Sequence, residues 1–264
     1  MRKKILLFGM KRSGNHGIIN WLRGQNPFIF CNNIIPIAPM LVHKQPFPKP
    51  CEFNPWLNQR RDNQVKGDDW SCLGNHQLKS IADHDVLVSI EDQDILSFPF
   101  VINDEPFQTL LVLRDPVNML ASRIKRAASL DHPAYPKTTG PMMDRVVATW
   151  KSHAREYLGL TQHLPNKTNI YFNAWFSSAK YREHISHQLS LEFNDSGFTR
   201  VSKEGGGSSF EGTSKSGANQ KMEVLNRLSY LNEAQQNLIQ NVLLDPEITE
   251  LASAVETKTL YVQS

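Results

Sequence analysis

Four short runs rich in Ile, Leu, Val and aromatic residues, at 4–8, 86–90, 109–113 and 169–172, are bounded by polar residues and too short to be helices. Continuous apolar runs of this length suit strands buried on both faces. Segments with helical periodicity follow three of them: 15–23 after the first, 117–130 after the third and 174–191 after the fourth. Another at 142–160 gathers Trp150, His153 and Tyr157 on one helical face, and 221–255 is helical in composition with a break at Pro246. Strands alternating with helices pair in parallel, because each parallel neighbour needs a crossover, and the helices then cover both faces. The expected fold class is α/β, a central parallel sheet flanked by helices in three layers, as a single domain over 1–264.

Composition narrows the function classes. With 264 residues, 40% hydrophobic and 21% charged, the chain can bury one large core. A net charge of +3 gives no ground for a nucleic-acid partner. No segment approaches the roughly 20 apolar residues that cross a bilayer, so no membrane span is expected. The apolar start is interrupted by Lys11 and Arg12, unlike a signal peptide, and the expected location is cytoplasmic. Cys31, Cys51 and Cys72 lack CxxC or His-paired spacing, so neither a disulfide framework nor a metal site is expected. Three stretches, 46–70, 131–141 and 203–217, are rich in Pro or in Gly and Ser and read as long functional loops.

The first run ends at Gly9-Met10-Lys11-Arg12-Ser13-Gly14-Asn15-His16-Gly17, immediately before a helix. A loop so placed gathers backbone N–H groups at the positive end of the helix dipole. Lys11 and Arg12 add full charges, while Ser13, Asn15 and His16 add side-chain donors, so the loop suits a phosphate or sulfate. Its Gly-x4-Gly spacing gives the fold a P-loop-like start, but Asn15 and His16 follow where a nucleoside-triphosphate loop has Lys and then Ser or Thr. A second motif begins at the end of the third strand, where Arg114 precedes Asp115 and Pro116 and Ser122 follows two helical turns on. Asp115 and Pro116 suit a helix start. Arg114 sits at the carboxyl end of a strand, where open α/β sheets bind ligands, and its fork matches a phosphate.

Lys11-Arg12-Ser13-Gly14 resembles the 5′-phosphosulfate loop of the sulfotransferases, which use 3′-phosphoadenosine 5′-phosphosulfate (PAPS) and release 3′-phosphoadenosine 5′-phosphate (PAP). The spacing of Arg114 and Ser122 resembles the same family's 3′-phosphate site. The resemblance implies a three-layer P-loop-like fold and transfer of a sulfuryl group from PAPS, without a metal, to a hydroxyl or amine of a small-molecule or glycan acceptor. It also implies roles. Arg12 contacts the sulfuryl and bridging oxygens, with Lys11, Ser13, Gly14, Asn15, His16 and Gly17 lining the loop, while Arg114 and Ser122 hold the 3′-phosphate. The family's general base falls at the end of an earlier strand, here Glu91, with Asp92, His76 and His43 as competitors. The Gly- and Ser-rich 205–217 segment, with Lys215, falls where the family folds a late loop over the nucleotide. Tyr171 and Phe172 fall near adenine or serve the core. Trp56, Arg60, Arg61 and Tyr135 are candidate acceptor contacts. Two alternatives stay open: a P-loop-type kinase and a non-catalytic nucleotide-binding protein. Oligomeric state is not legible.

Overall fold

The computed structural model describes residues 2–31, 85–95, 108–129, 140–164, 166–200, 207–212 and 222–263. Its centre is a five-stranded sheet, all of whose pairings are parallel. The strands are β1 (Lys4–Gly9), β2 (Ile29–Cys31), β3 (Val86–Glu91), β4 (Gln108–Leu113) and β5 (Lys167–Tyr171), in spatial order β2-β3-β1-β4-β5. The interior of β1, Ile5 through Phe8, is almost fully buried, as are Leu87 and Leu110–Leu113 on its two neighbours. Both faces of the sheet therefore point into protein, which the continuous apolar runs require.

Helix α1 (Asn15–Gln25) follows β1, α2 (Pro116–Ser129) follows β4, and α3 (Pro141–Leu158) precedes β5. Next come α4 (Phe172–Ser177), α5 (Ala179–Gln188), α6 (Glu233–Leu243) and α7 (Pro246–Gln263). α1 meets α4 through the edge-on pair Trp21–Trp175 at 5.9 Å, while α2 packs on α6 and α3 on α7. The result is the expected α/β architecture, a parallel sheet flanked by helices.

Three details differ from expectation. β2 is only 3 residues long, too short to leave a periodic signal. The helix expected over 174–191 is two helices. Ser178 adopts an extended φ of −127° between them, and its Oγ accepts from Tyr181 N at 3.1 Å to cap the second. The C-terminal pattern likewise divides. α6 starts on a reciprocal capping box of Asn232 and Gln235, and Pro246 opens α7 rather than merely breaking a helix. Among the described residues, no helix is long and apolar enough to cross a membrane.

Candidate functional site

The strand register brings the two sequence motifs together at one edge of the sheet. Gly9, the last residue of β1, lies level with Glu91 at the end of β3 and Val112 near the end of β4. The loop after Gly9 turns through Ser13 N, which donates to Met10 O at 3.1 Å. Arg12 (φ 71°) and Gly14 (φ 89°) are both left-handed. Such a φ costs a non-glycine residue about 1–2 kcal/mol, strain of the kind that binding loops hold. At Gly14 the need for glycine is also steric: a Cβ there would stand 2.0 Å from Phe172 Cε2. Gly14 caps α1 with no side-chain hydrogen bond, and the positive end of the helix dipole opens at this loop.

Arg114 is 5% exposed and ties the second motif to the first. Its Nη1 donates to Arg12 O at 2.9 Å and, at 3.5 Å, reaches Ser122 Oγ. Its Nη2 donates to Val224 O, and the guanidinium lies 4.8 Å from the centre of the Phe172 ring. Trp150 Nε1 donates to the Arg114 carbonyl at 2.9 Å and so pins the end of β4. Among the described residues, no carboxylate lies within ion-pairing distance of this buried guanidinium. Its pKa is lowered to about 10, chiefly by burial and also by the positive charges of Arg227 and Arg12, against the opposing charge of Asp115. Three guanidinium groups thus share one neighbourhood. Ser13 Oγ and Arg114 Nε are both buried without a hydrogen-bond partner among the described residues. Orphaned buried donors beside excess positive charge are what an anion would satisfy.

The third arginine, Arg227, left no trace in the sequence. It lies in the 221–255 stretch expected to be helical, but before the helix that starts at Glu233, and it is placed by distant partners: Arg227 N donates to Asn118 Oδ1 at 2.6 Å, and Asn118 Nδ2 to Leu225 O at 3.1 Å. Its guanidinium grips Glu211 bidentately, both contacts 2.8 Å, on the turn 207–212. Arg12 Nη1 donates to Gly207 O of that turn at 3.2 Å. The late Gly- and Ser-rich segment therefore reaches the first loop at Gly207. Lys215 lies outside the described residues, as do His43, His76, Trp56, Arg60, Arg61 and Tyr135.

The other predicted residues make contacts that tie the loop to its neighbours. Asn15 is 3% exposed, and its Nδ2 donates to Met10 O at 3.1 Å and to Glu91 Oε1 at 2.8 Å. Both amide hydrogens are therefore spent within the protein, linking loop and β3, and the glycine at position 9 leaves the room. His16 stands edge-on to Phe30 at 6.2 Å, and Gly17 faces the Trp175 ring. Lys11 N donates to Asp92 Oδ1 at 2.9 Å and its Nζ lies 3.9 Å from Oδ2, while Arg123 also pairs with Asp92. Asp92 and Glu91 thus both tie the end of β3 to the loop, Asp92 through Lys11 and Glu91 through Asn15. Phe172 and Tyr171 are buried, with Phe172 wedged between Gly14 and Arg114 as well as stacked on Phe176. His153, fully buried, bonds Gln93 O at 2.8 Å just beyond Asp92, and burial lowers its pKa.

Neither a protein-family model nor a curated protein sequence matches the chain. Among solved structures, the mouse sulfotransferase SULT7A1 complexed with PAP is similar over 91% of this chain and 82% of its own, at 12% identity and a TM-score of 0.46.

Proposed function

We propose that the chain binds PAPS and transfers its sulfuryl group to a hydroxyl or amine of a small-molecule or glycan acceptor. The observation that carries the reading is the buried guanidinium of Arg114, without a carboxylate partner among the described residues, whose Nη1 reaches both the backbone of the Arg12 loop and Ser122 Oγ. A buried cation without an opposite charge is costly unless an anion completes it. Here it sits between two loops that each offer further donors. The residues fit a nucleotide with phosphates at two positions: the Arg12–Gly14 loop and the α1 amides for the 5′ group, Arg114 and Ser122 for the 3′ group.

The nucleotide supplies an activated sulfuryl group on a phosphate leaving group. Arg12 and the α1 dipole hold positive potential where negative charge builds on the departing oxygen. Arg114 and Ser122 orient the donor and select for a 3′-phosphate. Glu91, steadied by Asn15, accepts the proton of the acceptor group. Selection against a nucleoside triphosphate follows from the loop itself. Asn15 stands where the phosphate-gripping Lys would be and is bonded inward, and His16 replaces the hydroxyl residue.

The test is calorimetric titration of the full chain with PAP, ADP and ATP, with and without Mg²⁺. Tight, metal-independent binding of PAP over ADP and ATP is expected, followed by acceptor screening with PAPS. Preference for ATP with Mg²⁺ would sink the reading in favour of a kinase. PAP binding with no turnover across the screen would favour a non-catalytic nucleotide-binding protein.

A further inference from the structure

We infer that Arg227 is a further anion-binding residue of this site and that Glu211 is its built-in counter-ion, which yields the guanidinium to an incoming phosphate group. The inference rests on the nucleotide-site reading above. Arg227 is held where that role needs it. The segment that carries it is stitched to the 3′-phosphate motif by Arg114 to Val224 O, by Asn118 to Leu225 O and by Arg227 N to Asn118 Oδ1. Two like charges are thus kept close by backbone bonds rather than by a carboxylate between them, and each raises the anion affinity of the other's surroundings.

Glu211 occupies the Arg227 fork in the way a phosphate would. Nη1 meets Oε1 and Nη2 meets Oε2, each at 2.8 Å, the two-point geometry that guanidinium offers to carboxylate and phosphate alike. Arg227 also lies over the Phe210 ring at 4.6 Å, which fixes the plane of the fork. The carboxylate is delivered by a turn whose shape is set internally. Ser208 and Gly212 exchange backbone bonds of 2.8 and 3.0 Å, and Ser208 Oγ accepts from Phe210 N and Glu211 N, both at 3.1 Å. Gly207 of the same turn accepts from Arg12, so one short turn engages two of the site's arginines.

The Arg227 side chain is 3% exposed and that of Glu211, which also accepts from Ser208 Oγ, is 14% exposed, so the carboxylate is the member of the pair nearer to water. A ligand must therefore outcompete Glu211. A phosphate monoester, with three acceptor oxygens and more charge than a carboxylate, can do so, whereas weaker anions cannot. Without ligand, Glu211 offsets the cost of burying the Arg227 charge.

The experiment titrates PAP and inorganic pyrophosphate into the full-length chain and its Glu211→Gln and Arg227→Gln variants, with thermal melts of each with and without PAP. Glu211→Gln is expected to tighten both ligands about tenfold, the order expected when one full charge beside an anion site is removed. It should also lower the melting temperature without ligand and enlarge the rise that PAP produces. Arg227→Gln is expected to weaken both ligands by about the same factor. If Glu211→Gln weakens binding as Arg227→Gln does, Glu211 is scaffolding and the inference is overturned; no change in either variant overturns it too. Should Arg227→Gln not fold, the direction of the Glu211→Gln effect decides alone. If the wild type ignores PAP while Glu211→Gln still tightens pyrophosphate, the counter-ion stands and the PAPS reading falls.

Discussion

Gly14→Ala separates two costs that the anion loop combines. The residue has a φ of +89°, and an added Cβ would meet Phe172 Cε2 at 2.0 Å and Cδ2 at 2.2 Å, far inside any tolerated contact. The left-handed backbone alone costs an alanine about 1–2 kcal/mol. Forcing the Phe172 ring aside adds about 1–3 kcal/mol of overpacking. The ring cannot give freely, because Arg114 lies over one side at 4.8 Å and Phe176 stacks at 6.0 Å. The sum, roughly 2–5 kcal/mol, is a large part of the stability of a typical domain. It corresponds to a fall in melting temperature of about 5–15 °C. Gly159→Ala is the internal control: its φ is +84° and nothing lies within 4 Å of an added Cβ, so it carries the backbone cost alone. Thermal and urea unfolding of the two variants, side by side, should therefore differ by the packing cost, and Gly14→Ala alone should lose PAP affinity as Phe172 shifts against Arg114. Equal destabilisation by the two substitutions would refute the packing of Phe172 against this loop.

Arg114→Lys keeps the charge but not the fork that reaches Arg12 O, Ser122 Oγ and Val224 O. Losing charge-assisted bonds worth about 1.5–3 kcal/mol should weaken PAP by about 10- to 100-fold while ADP, lacking the 3′-phosphate, changes far less; calorimetry that finds equal losses would remove Arg114 from the 3′ site. Asn15→Ala and Glu91→Ala, combined in a double-mutant cycle read by urea unfolding, should couple by about 1–2 kcal/mol, since each side chain loses the same bond; additive losses would break the proposed brace. His153 is buried with its pKa lowered from 6.5, so the folded state resists a proton that the unfolded chain accepts. The stability it contributes is complete above that unfolded value and declines as pH falls through it, levelling off below the folded pKa. His153→Gln should flatten this acid-side decline in urea midpoints, and an unchanged pH slope would count against a buried neutral imidazole.

The parts of the fold that the sequence made legible are those built from local signals. β1, β3, β4 and β5 fall at or within two residues of the expected runs, because burial on both faces forces unbroken apolar stretches. β2 has too few residues for any period to show, and the split between α4 and α5 turns on one hydroxyl cap at Ser178. The loop and the Arg114–Ser122 spacing were readable because chemistry and sequence proximity coincide there. Glu211 lay in a loop the sequence singles out, but its pairing with Arg227 was not legible, since that relation exists only across the fold. Asn15 was legible as part of the loop, but its inward role was not. A side-chain amide can face a ligand or a neighbour, and only the register of Gly9 beside Glu91 decides which.

The strand order carries a consequence of its own. β1 sends its chain towards β2 on one side of the sheet, while its neighbour β4 sends its chain towards β5 on the other. With right-handed crossovers the outgoing connections diverge onto opposite faces, which opens a crevice above the carboxyl ends of these two strands. That cleft exists before any side chain is chosen, and the Arg12 loop and Arg114 are the first residues past its two lips. Winding thus sets where the two loops meet, and the loops set which side chains meet there. Loop exchange could rewrite the chemistry of that place, but could not move it elsewhere without rewinding the sheet.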